Sequence, residues 1–321
     1  MHYRPGQPNP FLSYGRLSKQ VIVDARAMED EDRLAYIARN QDKLRAEYLQ
    51  GVFDAIEKGL TDSNQIGKKI LLPSSHTGSK RYVIQNYHDG IAICRVYGPP
   101  DLFITFTCNP RWEEIIRALE PGEQPSDRPD VIVRVFHMKL NEFIQDIWSG
   151  KLFGPVLAIL YSIEFQKRGF PHVHILVWID KKININTEII DSWISAEIPD
   201  PEKDPLGYVL VSEHMMHGPC GEKNESSPCM KKGKCSKYYP KDFRHETIFT
   251  DDGFTLYRRR DSKIYIRRGN HNLDNRWVVP YNLKLLKKYQ AHINVAYVNK
   301  SKLLKYLCKY VNKRRAGLVQ R

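Results

Sequence analysis

Two apolar runs, VLAILYSIEFQ at 156–166 and HVHILVWID at 172–180, stand only five residues apart, and those five are KRGFP. Both runs are rich in β-branched and aromatic residues, the composition of buried strands. A parallel connection needs a crossover of a dozen residues or more, so a five-residue link carrying Gly and Pro makes an antiparallel hairpin. A purely parallel, doubly wound sheet is thereby excluded. Two further strands are expected, LFITFTCNP from 102 and AHINVAYV at 291–298, with an amphipathic helix over 131–149 and a short helix over 187–198. This order predicts an α+β fold, an antiparallel sheet packed by helices on one face.

Residues 1–72 form an expected helical module, since 17–60 carry apolar residues at three- and four-residue spacing among charges of both signs. The segment 73–198 is the first part of the sheet domain, and within it 80–98 is ordered but of undecided type. Residues 199–289 read as a loop-rich, basic insertion with little regular core and a cysteine cluster, and 290–321 close the sheet domain with a strand and a helix. No GxxxxGK[ST] occurs in the chain, so it holds no phosphate loop.

Side chains alternate along a strand, which puts His172 and His174 on one face and Val173, Ile175 and Val177 on the other. Across the hairpin, Ser162, Glu164 and Gln166 share a face. Two imidazoles facing a carboxylate or amide oxygen suit a divalent cation with open positions, Mg²⁺ or Mn²⁺. Either Glu164 or Gln166 serves as the third ligand; the anionic Glu164 is preferred, with Gln166 beside it. The alternative is a pair of hydrogen-bonded histidines at the edge of the core.

Tyr306 and Tyr310 are four residues apart in KLLKYLCKYVNK, one turn along the same helical face, and Lys302, Lys305, Lys309 and Lys313 surround them. A tyrosine attacks phosphorus when a metal polarises the phosphoryl oxygen and nearby cations favour phenolate. The competing reading is a core helix with a solvated lysine stripe. Net charge points the same way as the chemistry: 50 Lys and Arg against 37 Asp and Glu give +13, and 275–321 contain no acidic residue. Such a balance favours a polyanion such as nucleic acid, with Arg168 in the hairpin turn and Arg258, Arg259 and Arg260 as further contacts.

Of six cysteines, Cys220, Cys229 and Cys235 cluster in a loop with His217, which is separated from Cys220 by two residues. Three thiolates and an imidazole make a closed tetrahedral zinc site, against the alternative of free thiols. The N-terminal stretch is polar and proline-rich, and no segment has the roughly 18 apolar residues of a membrane span, so no membrane association is expected.

DLFITFTCNPRWEEI (101–115), EFQKRGFPHVHIL (164–176) and AHINVAYVNKSKLLKYLCKYVNK (291–313), in this order, resemble the His-hydrophobic-His (HUH) endonuclease domain of Helitron rolling-circle transposases, the Helitron helicase-like domain. The resemblance implies a ferredoxin-like antiparallel sheet of about five strands with metal on its central strands. It implies His172 and His174 as ligands, and Tyr306 and Tyr310 as nucleophiles that form 5′-phosphotyrosine links to single-stranded DNA, an activity expected in the nucleus. Full-length members carry a C-terminal helicase, which this chain, ending at Arg321, would need in trans. The family also has an acidic residue where this chain has Ala296. The alternative function is a catalytically silent, single-stranded nucleic-acid-binding remnant.

Overall fold

The computed structural model describes residues 16–41, 43, 70–167, 169–250, 254–298 and 316–320. Its helices are α1 (Arg16–Arg39), α2 (Lys80–Tyr97), α3 (Glu113–Ile116), α4 (Pro129–Trp148), α5 (Thr187–Trp193), α6 (Pro205–His214) and α7 (Leu283–Tyr289). Its strands are β1 (Leu102–Thr107), β2 (Val156–Phe165), β3 (Pro171–Ile179), the short β4 (Met230–Lys231), β5 (Lys234–Cys235), β6 (Ile248–Phe249), β7 (Thr255–Leu256), β8 (Ile266–Arg268) and β9 (His271–Leu273), then β10 (Ile293–Tyr297) and β11 (Ala316–Gln320). The chain divides into two compact units, 1–85 and 86–321.

The expected hairpin forms. Gln166 N donates to Phe170 O at 2.9 Å and Gly169 N to Gln166 O at 2.8 Å. Gly169 has φ +84°, a conformation that disfavours a side chain. The pairing sets Glu164 opposite His172, Ser162 opposite His174 and Leu160 opposite Leu176. Around this hairpin a five-stranded antiparallel sheet assembles in the order β10-β1-β3-β2-β11.

Alternation gives the sheet two different faces. On one, Leu102, Ile104 and Phe106 of β1, Val173, Ile175 and Val177 of β3, and Ile293 and Val295 of β10 are fully buried. They share a core cluster with Ile132, Phe136, Leu140, Phe143 and Ile147 of α4, residues spaced to form one apolar stripe. Phe106 and Phe143 stack with ring centroids 4.6 Å apart. Pro129 starts α4 at the position where a missing N–H costs nothing, and Gly150 at φ +74° follows its end. On the other face, Ile93 of α2 covers Ala158, Leu160, Leu176 and Trp178, leaving the end that carries the histidines outside this cluster.

Three expectations change. The undecided 80–98 stretch is the helix α2, whose Tyr82 amide donates to Ser79 Oγ at 3.0 Å. The short helix stops at Trp193 instead of running to 198: Ile194, Ala196 and Ile198 are buried at a period of two, and Ser195 exchanges two backbone bonds of 2.8 Å with Tyr281. The apolar residues of this run recur at the period of a strand, where the composition predicts a continuing helix. The insertion, expected to have little core, has one of its own, where Leu210, Val211 and Met215 of the α6 region pack with Ile266, Val278, Tyr281 and Leu286. Among the described residues no helix is long and apolar enough to cross a membrane.

Candidate metal centre and nucleic-acid cleft

His172 and His174 project from β3 on the face away from α4, with ring centroids 4.6 Å apart and planes at 82°. Neighbouring strands fix both rings. Thr107 at the end of β1 lies opposite His172, and its Oγ1 shares a 2.7 Å hydrogen bond with His172 Nδ1. For Nε2 to present a lone pair to a cation, Nδ1–H donates to the threonine, the arrangement by which a second partner orients a ligating imidazole. His174 Nε2 stands 3.3 Å from Glu164 Oε1, and its ring stacks on Phe103 at 5.7 Å. Burial, then His174 and His292, push the His172 pKa down to about 3, so its ring is neutral at physiological pH, the form that ligates. Gln166 lies past the end of β2 and is exposed, while Glu164 is on the strand and half-buried.

The histidines lie at the base of a cleft of about 750 Å³. Its floor is the sheet face, with Phe103, Thr105, His292, Asn294 and Ala296 beside the two histidines. Its wall comes from the insertion, the run Lys237–Asp242 with Arg244 and Tyr257. Ala296, where the family resemblance has an acidic residue, pairs with Phe103 on β1 and so lines the same cleft.

The four residues of the cysteine cluster come together: one ligand atom each from His217, Cys220, Cys229 and Cys235 lies within 4.8 Å of the others. His217 Nε2 is 3.6 Å from Cys220 Sγ and 3.4 Å from Cys235 Sγ. Tetrahedral zinc bonds near 2.0 and 2.3 Å require about 3.6 Å between such atoms, so the donor set fits zinc in chemistry and spacing. A two-residue turn makes this possible. Lys232 and Gly233, at φ +51° and +75°, reverse the chain between β4 and β5, and Ser236 N then donates to Cys229 O at 2.9 Å. Burial and the two neighbouring thiols push Cys220 up to about 12. Cys235 moves down: burial raises it, but the amides of Tyr239 and Lys237 and the other thiols outweigh that. A divalent cation relieves this crowding by taking the thiolates as ligands.

The predicted basic contacts divide. Arg259 is 4% exposed and its guanidinium donates to the carbonyls of Asn275 at 2.6 Å and Val278 at 2.7 Å, binding the insertion together. Arg258 pairs with Asp191 at 3.1 Å, and Arg260 makes a forked pair with Glu197 at 2.9 and 2.6 Å. All three arginines thus have partners inside the protein. Tyr306, Tyr310, Lys302, Lys305, Lys309, Lys313 and Arg168 lie outside the described residues. Sequence reasoning missed Thr107 and Phe103, since each matters only through a neighbour that strand register brings to it, whereas Tyr238 falls in YYPKDFR, a stretch expected to be held against DNA by the cysteine cluster.

No curated protein matches the chain. The family described as Helitron helicase-like domain at N-terminus matches residues 1–177, more than half of the 321. The matched span holds β1, α4, β2 and β3 through the two histidines and ends before the cysteine cluster. With β1, the hairpin and both histidines inside that match, the chain belongs to the Helitron helicase-like family.

Proposed function

We propose that the protein is a metal-dependent single-stranded DNA endonuclease and strand transferase of rolling-circle transposition, acting in the nucleus. The observation that carries this reading is the pair His172 and His174, with Glu164 beside them, on an open sheet face at the base of a cleft whose wall bears Lys237, Lys241 and Arg244. Two paired strands presenting two imidazoles and a carboxylate could hold Mg²⁺ or Mn²⁺, and the bound ion would polarise a phosphoryl oxygen.

The remaining chemistry belongs to the chain. The phenolate oxygen of Tyr306 or Tyr310 attacks phosphorus in line, the bond to the 3′-oxygen breaks, and a 5′-phosphotyrosine and a 3′-hydroxyl result. The phosphodiester is exchanged, not hydrolysed, so rejoining needs no ATP. Thr107 is a positioning residue that holds the His172 ring. β10 and β11, the described strands on either side of the tyrosine segment, are the two edge strands of the sheet.

The test is a denaturant-resistant adduct between the protein and labelled single-stranded oligonucleotides in Mn²⁺ or Mg²⁺. It should form with the wild type, and vanish with Tyr306→Phe combined with Tyr310→Phe and with His172→Ala. An adduct that survives the double tyrosine change sinks the reading. Ala296 favours a second one, a silent binding remnant, because an uncharged residue lines the cleft there. That reading gains if no sequence gives an adduct while Ala296→Glu restores one.

A further inference from the structure

The cleft wall holds an aromatic residue that folding alone does not explain. Tyr238 is 79% exposed and has φ +56°, a left-handed conformation that a side chain of this size rarely adopts. Strain of this kind persists where the surroundings impose it, and it gathers at binding sites. Here the surroundings are the cysteine cluster: Tyr238 N donates to Cys235 O at 2.9 Å, and the next residue, Tyr239, stacks on His217 at 4.1 Å. The zinc-ligand turn therefore holds Tyr238 at the cleft that contains His172 and His174.

A cation lies against the ring. Lys241 Nζ lies 5.6 Å from the centre of Tyr238 and donates to Lys237 O at 3.0 Å. Arg244 lines the same wall, where Asp242 is the one acidic residue of the described lining and sits 3.8 Å from Arg244. An exposed ring beside cations of the same cleft wall is how proteins hold single-stranded nucleic acid, bases stacking on the ring and phosphates meeting the charge.

We infer that Tyr238 is a base-stacking platform for single-stranded DNA, with Lys237, Lys241 and Arg244 meeting the flanking phosphates as the strand reaches the histidines. This deepens the proposed function and rests on it for the nature of the strand. A cleft of about 750 Å³ has room for a short length of single strand.

The test measures binding, not cleavage, by fluorescence anisotropy of labelled oligothymidylate in a Tyr306→Phe, Tyr310→Phe background. Tyr238→Ala and Tyr238→Gly should each weaken binding about tenfold, with Tyr238→Phe within about twofold of the parent. Tyr238→Gly suits the left-handed backbone, so its thermal stability should hold, which separates lost stacking from lost folding. Lys241→Ala should lower the slope of log affinity against log salt by about one. Tyr238→Ala and Tyr238→Gly binding as the parent does would overturn the inference, as would equal weakening on duplex DNA. Tighter, Tyr238-dependent binding of oligouridylate would assign the platform to RNA and overturn it too. Tyr238-dependent binding without any adduct would leave the platform standing while the endonuclease reading falls.

Discussion

The cysteine cluster, which could hold a metal ion, and the histidine strand, proposed to hold another, are built in opposite ways. In the cluster, four ligands from loops and a two-residue ribbon close around one point, over a small buried patch that adds only Leu273 and Trp277 to the cysteines. The histidines stand on a strand whose reverse side is fully buried against α4, with a threonine, a carboxylate and an aromatic ring fixing them. A closed set of soft ligands is a staple, and its metal holds the surrounding chain together. An open set on a rigid support leaves positions for substrate, and its fold does not depend on the ion.

Removing zinc should therefore have the largest effect. Cys229→Ser, or a strong chelator, should release about one zinc per chain and loosen the insertion, because such sites carry roughly 10 kcal/mol or more of apparent binding free energy. Hydrogen exchange would show protection lost over 215–244 and kept in β2 and β3. Next is the support under the histidines: Phe143→Ala should cost about 3–5 kcal/mol in denaturant unfolding, since Phe143 is fully buried against Phe106. Thr107→Val should weaken Mn²⁺ binding about 10- to 100-fold by titration while changing stability little, as expected of a group that orients a ligand.

The smallest effect concerns Glu197, which holds Arg258 and Arg260. Burial raises its pKa, but the hydrogen bond from Arg260 and the nearby guanidinium charges outweigh this, leaving it below the ordinary 4.5. A carboxyl lowered in the folded state stabilises above its unfolded pKa, and that contribution fades as pH falls through the folded value. Glu197→Gln should thus cost about 1 kcal/mol at pH 7 and nearly nothing near pH 3, read from unfolding curves at the two pH values.

What the sequence reveals of this molecule is what depends on near neighbours. The hairpin, α4 and the shared face of His172 and His174 follow from five turn residues, a helical stripe and strand alternation. Cys220, Cys229 and Cys235 are close enough in the chain for their joining to be foreseen. The order of strands is not local: β1 lies between β3 and β10, which puts Thr107 on His172 across 65 residues. Nor could the run of arginines show that Arg259 turns inward, because its partners are carbonyls of residues 275 and 278. The 194–198 stretch misleads for a similar reason, since only the Tyr281 backbone makes it a strand-like edge.

The contrast between staple and open site can be tested in one measurement. Dialyse the protein against metal-free buffer, count the metals that remain, and assay the covalent DNA adduct before and after adding Mn²⁺ alone. The expected result is about one zinc retained per chain, no adduct after dialysis, and full return of the adduct with Mn²⁺. Adduct formation that persists without added metal, or that returns only with zinc, would contradict the account.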